Sequence, residues 1–152
     1  YTPDKQALLF NILLHHMENL LSSWAHYPKR TDPSDQISDF IKFHLEFHFS
    51  KADEVFVAYM ELRNLNPQNF FVIEKLRRDY ETVLQEILSA GLAARQFQIK
   101  DTKIATLAII GMLKEIGTWY RPDGRLGEPE IISLYQNMAL DILISGKTIE
   151  KG

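Results

Sequence analysis

Apolar side chains recur along this chain every three to four residues, and nowhere in the strict alternation that marks a half-buried strand. From a capping residue at Asp4, the series Leu9, Ile12, Leu13, His16, Met17, Leu20 and Trp24 predicts a long amphipathic helix that stops before Pro28. After "PKRTDPSD", Ile37, Phe40, Ile41, His44, Phe47 and His48 place apolar or aromatic groups on more than one face, which predicts a central helix surrounded by others. A third helix, Ala52 to Leu65, sets Phe56, Tyr59, Met60 and Arg63 on one stripe and ends at Asn66-Pro67. A longer one, from about Asn69 to Arg95, repeats Ile73, Leu76, Tyr80, Val83, Leu84 and Ile87, with Gly91 near a frayed end and "QFQIKD" as a short link.

The last third has a different character. Ile104, Ala105, Leu107, Ala108, Ile110, Gly111, Met112 and Leu113 leave few polar positions between Asp101 and Tyr120, and Glu128 to Ser145 carries Ile131, Leu134, Tyr135, Met138, Ile142 and Leu143. Two helices this apolar exceed the needs of one core. A glycine inside a helix costs about 1 kcal/mol relative to alanine unless close packing uses the space, so Gly111 with Ala105 and Ala108 points to a contact surface. The pattern predicts an all-α fold of about six helices, the last two forming a four-helix bundle with a second copy through Ala105, Ala108, Gly111, Leu134, Tyr135, Met138 and Ile142.

Composition narrows the function. The 152 residues, 45% of them hydrophobic, suffice for one domain with its own core. A net charge of −3 offers no basic face for nucleic acid. The absence of cysteine removes disulfides, thiolate metal sites and a cysteine nucleophile. No apolar run approaches the roughly 20 residues that span a bilayer, and a cytoplasmic protein without membrane contact is expected.

His44 and His48 stand four apart on one helix face, but "HLEFH" is not the zinc-protease signature, and buried, hydrogen-bonded imidazoles are the plainer reading. Neither a nucleophile elbow nor a phosphate-binding glycine loop is present, so neither an enzyme nor a metal site is expected. Arg63 and Arg77 lie beside aromatic stripes. Each either pairs internally with Glu61, Glu74 or Glu81, or meets an acidic ligand whose remainder sits among Met17, Trp24, Phe43, Phe47, Tyr59, Met60 and Tyr80; such stripes are otherwise core. A ligandless interaction module using the apolar last helices, and a helical metalloenzyme using His44 and His48, are the rival readings.

Two stretches carry a family resemblance. "YTPDKQALL" resembles the junction between the helix-turn-helix domain and the long connecting helix in tetracycline-repressor (TetR) type regulators, with Thr2 where that family usually has Phe. "GMLKEIGTWYRPDGRLGEPEI" is similar to the segment joining the last two helices in one branch of the family, with Trp119, Tyr120, Arg121, Pro122, Gly124, Arg125 and Leu126 its most specific part. The resemblance implies an effector-binding and dimerisation domain of a repressor. It reads Tyr1 as a cut edge, with a helix-turn-helix domain before it through which alone DNA is bound, and Tyr1 and Lys5 as remnants of the phosphate-contacting edge. That branch includes regulators of fatty-acid and steroid breakdown, so the resemblance implies a lipid-like acidic effector such as an acyl-coenzyme A and no other cofactor.

Overall fold

The computed structural model of the protein describes residues 3–51 and 60–144. In chain order the elements are α1 (Pro3–His26), α2 (Pro33–Phe49), a single 3-10 turn (Leu62–Asn64), α3 (Pro67–Ala93), α4 (Thr102–Lys114), a one-turn α5 (Ile116–Trp119) and α6 (Glu128–Ile144). No strand occurs among the described residues. Most of the expected third helix, with Phe56 and Tyr59, lies outside the described residues, as do Tyr1 and Ser145.

Local chemistry sets the helix ends. Asp32 caps α2 by accepting the Asp35 amide at 3.2 Å, Asn66 caps α3 by accepting the Asn69 amide at 2.9 Å, and Asp101 caps α4 by accepting the Ile104 amide at 3.0 Å. Pro33 and Pro67 follow two of these caps, where a missing N–H leaves no bond unmade. Asn66-Pro67 therefore starts α3 as well as closing the preceding segment, two residues ahead of the expected Asn69. At the other end of the chain Asp4 sits inside the first turn of α1 rather than capping it.

Two further boundaries differ from the sequence reading. The expected helix from Asp101 to Tyr120 divides at Glu115, whose carbonyl accepts both the amide and the hydroxyl of Thr118, at 2.9 and 2.7 Å. There the Thr118 amide reaches back three residues, as in a 3-10 turn, and Glu115 becomes the N-cap of a new helix. Nor does α3 fray at Gly91. Arg95 takes a left-handed φ of 62°, and the amides of Gln96 and Phe97 both donate to the Gly91 carbonyl, at 2.9 and 3.2 Å. The Phe97 ring then lies directly over Gly91, where no Cβ fits. Gln96 fastens this corner to the start of α2, donating to Asp32 Oδ1 at 2.7 Å and accepting from Ser34 Oγ at 3.0 Å.

α2 is the central helix, packed against α3, α4, α5 and α6, with Ile37, Phe40, Ile41 and Leu45 fully buried. A smaller cluster of Leu9, Leu13, Leu65 and Ile73 holds the first half of α1 to α3. The last two long helices leave one stripe each uncovered: Ile104, Leu107, Ala108 and Gly111 on α4, and Leu134, Met138 and Ile142 on α6, are exposed, while Ala105 and Tyr135 are half-buried against the core. Tyr120, in the link between these helices, packs against Phe49 with ring centres 4.5 Å apart and planes tilted by 43°, and donates to Glu128 at 3.3 Å.

Candidate functional site

Between α1, α2, α3 and the α4–α5 corner lies a cavity of about 270 Å³. α1 contributes Met17 and Leu20, α2 His44 and His48, the 3-10 turn Leu62, α3 Arg77, Tyr80 and Glu81, and the stretch from Ile110 to Thr118 the opposite wall. Helical periodicity explains the convergence. Met17 and Leu20 are three apart on α1, His44 and His48 four apart on α2, and Arg77 and Tyr80 three apart on α3, so each helix offers one face. The break at Glu115 turns Ile116 inward alongside Leu113.

One wall carries a polar network. His48 donates Nδ1–H to the His44 carbonyl at 2.7 Å, which leaves its Nε2 lone pair facing His16 Nε2 at 3.3 Å; His16 is then the donor. His44 Nδ1 and the Tyr80 hydroxyl share a hydrogen bond of 2.8 Å. All three imidazoles are held neutral. Burial, then His48 and Lys51, lowers His16 to about 3. Burial lowers His48 to about 4, against the opposing bond to the His44 carbonyl. Burial, then His48 and His16, puts His44 well below its ordinary value.

The charged groups gather near the opening. Arg77 donates to Glu74 at 2.5 Å, one of the internal pairs left open by the sequence. The Lys114 ammonium is pushed below its ordinary value by desolvation and then by Arg77, with Glu81 and Glu74 acting in the opposite sense. Lys114, Glu115 and Thr118 are exposed as well as lining, so they stand at the mouth.

Of the ligand residues named from sequence, Met17, Arg77 and Tyr80 line the cavity. Trp24 and Phe43 belong to the core away from its surface, in a cluster where Trp24 stacks on Tyr27 at 5.4 Å and meets Phe43 edge-on at 5.3 Å. Phe47 is half-buried behind the histidines, its ring 5.7 Å from that of His16. Met60 and Arg63 are exposed outside the lining, and Tyr59 lies outside the described residues. Lys5 sits exposed in the first turn of α1. Lys114 was missed, although it is the one charged residue after Lys103 in a largely apolar helix, at its last position. His44 and His48, read as buried, hydrogen-bonded imidazoles with a metal site as the rival, are hydrogen-bonded and also form wall; among the described residues no group of three side chains is arranged to hold a metal, and no helix among them is long and apolar enough to cross a membrane.

The sequence matches the family described as tetracyclin repressor-like, C-terminal domain, over residues 30–143. Among solved structures, a bacterial regulatory protein in the tetR family from Rhodococcus RHA1 superposes with a TM-score of 0.83 at 26% identity, covering 92% of this chain and 74% of that one. PfmR, a TetR family transcriptional regulator from Thermus thermophilus, gives 0.76 at 24% identity, covering 90% and 75%. AibR, in complex with isovaleryl coenzyme A and operator DNA, gives 0.76 at 22% identity, covering 88% and 74%. The latter two likenesses speak to the fold. No curated protein matches the sequence.

Proposed function

The chain belongs to the tetracyclin repressor-like C-terminal domain family of TetR regulators, and on that premise we propose that it senses an acidic, lipid-like effector such as an acyl-coenzyme A and pairs with a second copy of itself within a repressor. The observation that carries this reading is a cavity with a largely apolar surface and one polar wall, at whose mouth Arg77 and Lys114 stand together with Glu81 and Glu115. An apolar pocket with a few convergent polar groups is the usual makeup of a small-molecule site. An anion arriving beside Lys114 offsets the effects of desolvation and of Arg77 on its charged form, which Glu81 and Glu74 offset only in part. Arg77 is partly satisfied by Glu74, so Lys114 is assigned the stronger contact with the ligand. The complex of AibR with isovaleryl coenzyme A supports the effector class by likeness of fold.

In this reading the effector acts through α1. Met17 and Leu20 of α1 touch the cavity, and so does Leu62 of the 3-10 turn. That turn is bound to the start of α1, where Gln6 donates to the Asn64 carbonyl and accepts the Asn66 amide at 3.1 Å. A ligand in contact with Leu62 therefore acts on α1 at Gln6 as well as at Met17, biasing the setting of the whole helix rather than the packing of its side chains. Regulation requires that it bind one setting of α1 better than another, since equal affinity shifts nothing. DNA contact is assigned to a helix-turn-helix domain of the whole regulator, outside residues 3–144. The exposed stripes on α4 and α6 are assigned to the two-fold partner.

The experiment is calorimetric titration of acyl-coenzyme A into the wild type, K114M and R77M. Saturable binding with one site per chain is expected. K114M should weaken it by about 1.5 to 3 kcal/mol, the range for a hydrogen bond to a charged group, without lowering the melting temperature of the unliganded protein. R77M should lower that melting temperature, because Glu74 loses its partner. Unchanged affinity in both variants refutes the cationic mouth, and no binding to the wild type refutes the thioester class.

A further inference from the structure

The size of the cavity, combined with the close packing behind its buried walls, limits what can enter it. An apolar protein cavity of about 150 Å³ accommodates benzene, which corresponds to roughly 25 Å³ per carbon. At that ratio the 270 Å³ here take about ten carbons, whereas a sixteen-carbon chain needs about 400 Å³. Among the described residues, the buried part of the lining has little room to retreat. Met17, Leu20, Ile110, Leu113 and Ile116 are each at most 3% exposed, so the faces turned away from the cavity are packed into the core. Behind Tyr80 the Phe40 ring lies 5.2 Å away and is itself enclosed by Trp24 at 5.4 Å. Close-packed interiors yield only at the cost of displaced side chains.

We propose that the site takes an acyl or alkyl portion of about ten carbons at most, which makes the effector a short- to medium-chain acidic acyl compound and excludes long-chain lipids. This deepens the acyl-binding reading above and rests on it. Within the limit, each added methylene strengthens binding about fourfold, equivalent to ~0.8 kcal/mol. Beyond it the excess carbons remain in water or force the walls apart, and affinity levels off or falls.

The test titrates two homologous series, coenzyme A thioesters and free carboxylates, each with four, six, eight, ten, twelve and sixteen carbons, into the wild type, M17A and I110V. Affinity is expected to peak at or below ten carbons. The peak should move to longer chains in M17A by about two to three carbons and in the milder I110V by about one, following the volume each removes. If the thioesters fail to bind while the carboxylates show this peak, the coenzyme A reading falls and the size limit stands. Affinity still rising from ten to sixteen carbons, a peak that neither variant moves, or no binding in either series overturns the inference.

Discussion

His16 Nε2 on α1 and His48 Nε2 on α2 face each other at 3.3 Å, an arrangement that one proton can bridge and two cannot. Their folded values of about 3 and about 4 both lie below the ordinary 6.5. A lowered folded value means the unfolded chain takes up protons first. The stability is therefore complete above pH 6.5 and is lost as pH falls toward those lower values. Each of the two should cost about 2 kcal/mol between pH 8 and pH 5. Urea unfolding at both pH values checks this, and H16F should show a shallower decline than the wild type. Equal stability at pH 8 and pH 5 contradicts the neutral pair.

Two helical glycines should respond in opposite ways to alanine. At Gly91 a Cβ collides with the buried Phe97 ring, so G91A should destabilise by about 1 to 3 kcal/mol despite the better helix propensity. At Gly111 nothing stands within 4 Å of a Cβ, and within one chain G111A should stabilise by up to about 1 kcal/mol. A close partner helix reverses that sign. Thermal unfolding of G111A at dilute and concentrated protein therefore reads the interface: a gain that vanishes as dimers form is the expected result.

The proposed two-fold contact predicts that M138D or L134D yields monomers, since each places a charge on the exposed apolar stripe of α6. Sedimentation equilibrium at micromolar concentration measures it. A wild type that sediments as a monomer refutes the assignment of this face.

Much of the fold was legible because its boundaries depend on local chemistry. Asp101 marks the start of α4 as expected, whereas Asn66-Pro67, read only as the end of the preceding segment, also opens α3, and Asp32-Pro33 opens α2 within the stretch read as a link. The division at Glu115 was not legible, because the Thr118 amide and hydroxyl that turn back onto the Glu115 carbonyl interrupt no apolar spacing. The site was read only in part for a related reason. Met17 and Trp24 share one apolar stripe of α1, and periodicity marks both as inward without distinguishing a cavity wall from a core contact. Arg77 was visible as a cation beside aromatics, but its proximity to Lys114 is a consequence of how α3 packs on α4, which no spacing encodes.

The central claim, that the effector enters the cavity between α1, α3 and α4, is tested most directly by methyl NMR of the protein, labelled at methionine and isoleucine, during titration with octanoyl-coenzyme A. Saturable shifts are expected for the Met17, Ile110 and Ile116 methyls, which line the cavity, while Met60 and Met138, exposed and outside the lining, stay in place. Shifts confined to Met60 or Met138, or none at saturating ligand, would contradict the claim.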